Sequence, residues 1–187
     1  GIIKKGYFED GIEGGYALRK LSENDKIRFS ISNGLNQIFF IESPNAVSLN
    51  ENISIIVTRH QNTIYLYIDG ELVAQGDYDG TLSTSDSELI FGKGNPESNE
   101  DFKGLFNKIF ILKSALLPNQ IYNDYDLEAL NAIDNSSISA FYDISHNTSN
   151  ILLDYSGQLN HGNIIGSEWI ENIEGCTDEL ACNYNSD

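Results

Sequence analysis

The sequence predicts an all-β protein built as an antiparallel sandwich, with one short helix near residues 118–127. Three observations carry this expectation. Residues 63–73 form an apolar run, an Asp-Gly pair and a second run, the pattern of a hairpin with a two-residue turn. Short alternating segments recur along the chain, separated by Gly, Asn, Asp and Ser. Only one segment has apolar residues near helical spacing.

Taken in order, residues 26–32 alternate cleanly, with Ile27, Phe29 and Ile31 on one face and Lys26, Arg28 and Ser30 on the other. That is a strand with one wet face. Residues 37–42 and 52–59 follow as strands. The second places Ile53, Ile55 and Val57 on one side and Ser54 and Thr58 on the other, and Ile56 breaks strict alternation. Asp69-Gly70 then favours a type I′ turn, because both central residues must take positive φ. Residues 89–91 read as a short strand and 102–112 as a long one. Pro118 suits a first helical turn, with Ile121, Tyr122, Tyr125 and Leu127 recurring behind it until residues 134–137 break the pattern. Residues 138–142 read as a further strand, and residues 154–163 as a turn-rich loop leading to Trp169.

A length of 187 residues suits one domain with a substantial core, or one domain and a short appendage. Eleven Lys and Arg stand against 28 Asp and Glu, a net charge of −17 that repels phosphate backbones and anionic lipid surfaces. Nucleic acid and membrane are therefore not expected partners. Solubility in a salty medium explains the acidity most simply, and cation binding is the alternative. No run of 18 apolar residues and no basic-then-apolar start occurs, so neither membrane insertion nor a signal peptide is read from the chain. Methionine is absent even at position 1, and the chain is expected to be a mature or internal piece of a longer polypeptide. Cys176 and Cys182 are close enough in sequence to close a small loop in an oxidising compartment. A structural zinc site would need about four thiolate or imidazole ligands, which this tail lacks, so a disulfide is favoured and two free thiols remain the alternative.

The order Gly15-Tyr16-Ala17-Leu18-Arg19, Lys26-Ile27-Arg28-Phe29, Tyr67-Ile68-Asp69-Gly70-Glu71-Leu72-Val73, Phe91-Gly92, Phe102-Lys103-Gly104, then Lys113-Ser114-Ala115-Leu116-Leu117-Pro118 resembles the central and later part of a laminin-G-like, concanavalin A-like jelly roll. The resemblance covers residues 2–126. Asp154-Tyr155-Ser156-Gly157, with Asn160-His161-Gly162 and Trp169, resembles the segment that usually precedes such a domain. Either these residues supply the leading strand of the same sandwich, as in a circular permutation, or they begin a following unit. The first is expected, because an open sandwich would expose strand edges while Ile138, Phe141, Tyr142, Ile151, Leu152, Ile164, Ile165 and Trp169 need burial. The expected domains are thus a sandwich over residues 1–171, with 138–170 supplying the leading strand, and a cysteine-containing tail over 172–187. Phe141 and Trp169 should be largely buried against strands of the first 112 residues. The tail resembles short modules that follow such domains in secreted proteins of marine bacteria.

Catalysis has little support in the sequence. Glycosidases on this jelly roll carry an acid and a nucleophile on one strand face about 5 Å apart, and no strand read here has that pattern. Glu9, Asp10 and Glu13 lie in a Gly-rich loop, Asp124, Asp126 and Glu128 in or after the helix, and His60, His146 and His161 are isolated. The chain is therefore expected not to be an enzyme. The resemblance implies calcium as the one cofactor to weigh, with Asp77 and Asp79 at a strand end and Asn107 where the family's long strand frequently has Asp. Sugar recognition is the sharper expectation, because ten Tyr, nine Phe and Trp169 supply rings for stacking, and Tyr65 and Tyr67 project from the face opposite Ile64, Leu66 and Ile68. The resulting expectation is an extracellular, non-catalytic binding or adhesion module of a larger secreted protein. Its partner would be a glycan or a cell-surface or extracellular protein. The alternative is a structural subunit of an extracellular filament or virion, whose edges join copies of itself by strand addition.

Overall fold

A computed structural model describes residues 1–6, 14–32, 38–81, 86–94, 101–121, 135–144 and 149–170. Its strands are β1 (Ile3–Lys5), β2 (Gly15–Lys20), β3 (Ile27–Ser32), β4 (Ile38–Glu42), β5 (Ile55–His60), β6 (Thr63–Ile68), β7 (Glu71–Asp77), β8 (Leu89–Phe91), β9 (Lys108–Leu112), β10 (Ile138–Asp143), β11 (Ile151–Leu152) and β12 (Gly162–Asn163). Every pairing is antiparallel. Among the described residues the only helical pieces are 3-10 turns at Pro118–Gln120 and Asn135–Ser137. Pro118 opens the first of these as expected, and the rest of the expected helix, from residue 122, lies outside the described residues. None of the described helices is long and apolar enough to cross a membrane.

The chain divides into two units, Gly1–Gly104 with Ser114–Ala132, and Leu105–Lys113 with Ile133–Asp187. In the first, one sheet runs in the order β4-β3-β2-β1-β8 and a second in the order β5-β6-β7. Directly opposed residues in an antiparallel ladder share a face. The register therefore assembles one apolar row, Ile41–Phe29–Leu18–Ile3–Phe91, across five strands. Facing it from the second sheet are Ile64 and Leu66, at 1% and 0% exposure, opposite Gly76 and Ala74. A Cβ on Gly76 would stand 2.7 Å from Phe39 Cζ and 3.0 Å from Ile41 Cγ2, so a larger residue in β7 would have to push these β4 side chains aside. Full burial contributes about 2 kcal/mol for each side chain such as Ile27, Ile64 or Leu66.

Two details of β3 and β9 differ from expectation. Ile27 and Ile31 are buried as predicted, but Ser30 and Ser32 on the other face are buried too, so the strand is covered on both sides except where Arg28 reaches Glu42. The long strand expected from residue 102 begins only at Lys108. Before it, the Phe102 N–H donates to Gly92 O (2.8 Å), and the Phe102 ring folds over Gly104, where a Cβ would stand 2.6 Å from it. The chain bends there rather than extending.

The second unit contains the ladder β9–β10, with Phe110 stacked on Phe141 at 4.5 Å between centroids, and the short ribbon β11–β12. Phe141 is buried, whereas Trp169 is half-buried and donates its indole N–H to Ser149 O (2.7 Å). Trp169 thus ties its loop while keeping part of its ring in solvent. Cys176 and Cys182 lie outside the described residues.

Candidate functional site

The Asp69-Gly70 turn adopts φ of 49° and 78°, the left-handed pair that a type I′ hairpin requires. Counting back from that turn in strict register would set Ala74 opposite Tyr65 and Gln75 opposite the buried Ile64. The strand avoids this. Tyr67 pairs with Leu72 but Leu66 with Ala74, leaving Val73 as a bulge. The extra residue flips everything beyond it to the other face. Ala74 and Gly76 turn to the core, where Gln75 would otherwise bury an amide against Ile64 at a cost of about 1–3 kcal/mol.

On the outer face of the second sheet the register now stacks three rows: Ile56–Tyr67–Leu72 nearest the turn, Thr58–Tyr65–Gln75 in the middle, and His60–Thr63–Asp77 at the far end. The rows grade from apolar to polar. Leu72 is 49% exposed, Tyr65 is half-exposed, and His60, Gln75 and Asp77 are open to solvent. The Thr63 hydroxyl donates to Asp77 Oδ1 at 2.8 Å, fixing the carboxylate beside the ring. Among the described residues nothing hydrogen-bonds to the Tyr65 hydroxyl, the Gln75 amide or the His60 imidazole. The β5 side of the face is covered, because Thr58 is buried and its Oγ1 accepts the Leu116 N–H (3.1 Å).

Of the two tyrosines expected to meet a ligand, Tyr67 is only 7% exposed, and burial, with a smaller contribution from neighbouring Tyr65, pushes its hydroxyl pKa up. A ligand cannot stack on it without displacing its cover. Tyr65 is the ring that solvent reaches. Gln75, His60 and Thr63 were not singled out from the sequence as ligand contacts, and the signal that could have found them is the register behind the Asp-Gly turn. Of the three expected calcium ligands, Asp77 ends β7 and Asp79 stands two residues beyond it, while Asn107 belongs to the other unit. Calcium takes 6–8 oxygens. Among the described residues no three His, Cys, Asp or Glu side chains gather to hold a metal. Asp77 is the one carboxylate in the three rows of this face, and no chemistry is derived through calcium.

Among the described residues, the strand carboxylates face partners other than a second carboxylate. Glu42 faces Arg28, Asp77 faces Thr63, Asp143 faces Lys108 and Glu71 faces Ile68. Glu71 and Asp77 share β7 but stand six positions apart, about 20 Å along a strand. At Glu42 the Arg28 Nε and Nη2 both donate to Oε2 (2.9 and 2.7 Å), and this hydrogen bonding holds the carboxyl below its usual range. The same guanidinium lies 4.7 Å from the Phe40 ring centroid, so this cation is already engaged, and Lys26 Nζ stands 3.6 Å from Glu42 Oε1.

In the second unit Asp154 has the opposite surroundings to Asp77. It is buried, Oδ1 accepts the N–H groups of Phe141 and Ser156, and Oδ2 accepts the Ser156 hydroxyl and the Asn160 N–H, each at 2.9 Å. Burial alone would raise its pKa, but these hydrogen bonds together outweigh it and hold the carboxyl below the usual range. Its own N–H donates to His161 Nδ1 (3.0 Å), the Tyr142 hydroxyl to Asn160 O (2.7 Å), and Asn160 Nδ2 to Ser139 O (2.8 Å). Burial, and secondarily the Asp154 charge, push the Tyr142 hydroxyl up. This cluster is a closed clamp on the loop.

Comparison with known proteins places this geometry. A comparison with curated proteins gives no match. Among solved structures, a candidate carbohydrate binding protein from Bacteroides ovatus ATCC 8483 is similar at TM-score 0.56 and 15% identity, over 85% of this chain and 50% of that one. An S-layer domain-containing protein (residues 221-444) from Clostridium thermocellum ATCC 27405 aligns at TM-score 0.36 and 21% identity, over 63% of this chain and 61% of that one. The chain thus spans between half and about three fifths of the structures it matches. A laminin-G-like family model, described as the concanavalin A-like lectin/glucanases superfamily, matches residues 4–122. The chain therefore belongs to this laminin-G-like family, whose fold is the antiparallel jelly-roll sandwich.

Proposed function

We propose that the chain is a non-catalytic glycan-recognition module of a secreted or surface protein, binding through the outer face of β5–β6–β7. The single observation that carries this reading is the Tyr65 face, where one half-exposed ring is ringed by Gln75, Asp77, Thr63 and His60 with exposed Leu72 at its apolar end. Sugars present an apolar C–H face and a rim of hydroxyls, and this surface offers a partner for each. The membership in a superfamily of lectins and glucanases supports the sugar, and the opposed partners of the strand carboxylates support binding without cleavage. The cysteine tail and the acidity support an extracellular setting.

The test is retardation of the purified chain in native gels containing dissolved polysaccharides, comparing the unaltered chain with Tyr65→Ala. Loss of about tenfold in affinity, equivalent to about 1.4 kcal/mol, is expected for removing the ring. Affinity unchanged by Tyr65→Ala would reject this face. Release of reducing ends from the same polymers, abolished by replacing one carboxylate, would reject the non-catalytic assignment.

A further inference from the structure

Building on the glycan reading, we infer that the Tyr65 face selects uncharged glycans and rejects polyanionic ones. Its three rows contain one carboxylate, Asp77, and no Lys or Arg. The one arginine of these strands, Arg59, lies in the row Arg59–Ile64–Gly76 on the opposite face. Its guanidinium is engaged there: Nη2 donates to the carbonyls of Tyr78 (3.1 Å) and Gly80 (3.0 Å) and Nε to that of Gln61 (3.1 Å), with the Tyr78 ring 5.2 Å away. The cation is turned from the site and held there. A uronate or sulfate over Tyr65 would therefore meet Asp77 within about 7–8 Å on the neighbouring strand, inside the screening length of physiological salt. The whole chain, at −17, adds repulsion rather than relieving it.

An uncharged ring suits the same groups. The Thr63 hydroxyl occupies Asp77 Oδ1, and the carboxylate's other oxygen is a charge-assisted acceptor for a sugar hydroxyl. Gln75 offers both donor and acceptor, and the Leu72 end takes the C–H face. From the Leu72 row to the Asp77 row the uncovered side of the face, along β6 and β7, runs about 13 Å, a length suited to a disaccharide rather than a single sugar.

The experiment compares laminarin and galactomannan, both uncharged, with alginate, a polyuronate, in native affinity gels at physiological salt. The unaltered chain should be retarded by at least one uncharged polymer and not by alginate. Gln75→Ala, at an exposed position that leaves the fold intact, should weaken that binding two- to fivefold. Asp77→Lys should weaken it at least fivefold and confer alginate retardation that Tyr65→Ala then removes. Tyr65-dependent retardation of the unaltered chain by alginate would overturn the selectivity while leaving glycan recognition standing. Retardation by no polymer at all would instead overturn the glycan reading itself.

Discussion

Two clusters in this chain use nearly the same side chains for opposite ends. Around Asp154 stand Ser156, Asn160, His161 and Tyr142, while around Asp77 stand Thr63, Gln75, His60 and Tyr65. In the first, the carboxylate receives four hydrogen bonds from within the unit and lies buried. In the second, among the described residues, it receives one, from Thr63, and lies open beside a half-buried ring. Residue type alone does not mark a site. A carboxylate whose lone pairs are consumed locally stabilises a loop, and one held by a single neighbour keeps capacity for a ligand.

The comparison breaks most visibly if the Asp154 cluster is dispensable. Deleting everything after Asn131 removes that cluster and β10, leaving the β9 edge unpaired and Phe110 without Phe141. The product is expected to aggregate, and a monomeric, cooperatively folding truncation on size exclusion and in urea would refute the structural role. Next in size, Asp154→Ala leaves four donors without their acceptor and should cost about 3 kcal/mol in urea unfolding. At low denaturant it should leave polysaccharide affinity unchanged, and a parallel loss of affinity would show that the two clusters are not separate in function.

Acid sharpens the same contrast. Because hydrogen bonds depress the Asp154 carboxyl in the folded state, the stability it contributes is present above the unfolded carboxyl value, about pH 3.9, and is lost as the pH falls through the folded value. Urea midpoints should fall below about pH 4, and Asp154→Asn should flatten that dependence. An unaltered slope would assign the acid sensitivity elsewhere. A smaller effect is expected at Gln75, where replacement by Ala should change stability by no more than about 0.5 kcal/mol. A larger loss in urea unfolding would make Gln75 a structural residue like Asn160. The smallest expected effect is that of EDTA, which should leave polysaccharide retardation unchanged, and restoration of lost binding by calcium would place a cation beside Asp77.

By itself the sequence determined the elements that rest on local chemistry. Asp69-Gly70 specifies its hairpin because few residues other than Gly, Asn and Asp tolerate two successive left-handed conformations, and Ile27 and Ile31 mark a core face by period-two alternation. The order of such segments sufficed to recognise the laminin-G-like fold. Tertiary structure decided what depends on distant partners. Ser30 and Ser32 look wet in sequence and are buried, and residues 102–107 look extended until Phe102 folds over Gly104. The bulge at Val73, invisible in composition, sends Gln75 and Asp77 to the side of Tyr65 while Gly76 yields its space to Phe39. Local sequence sets which conformations are cheap, but a one-residue shift exchanges the two faces of a strand, and only packing against the opposite sheet reveals which register avoids burying an amide.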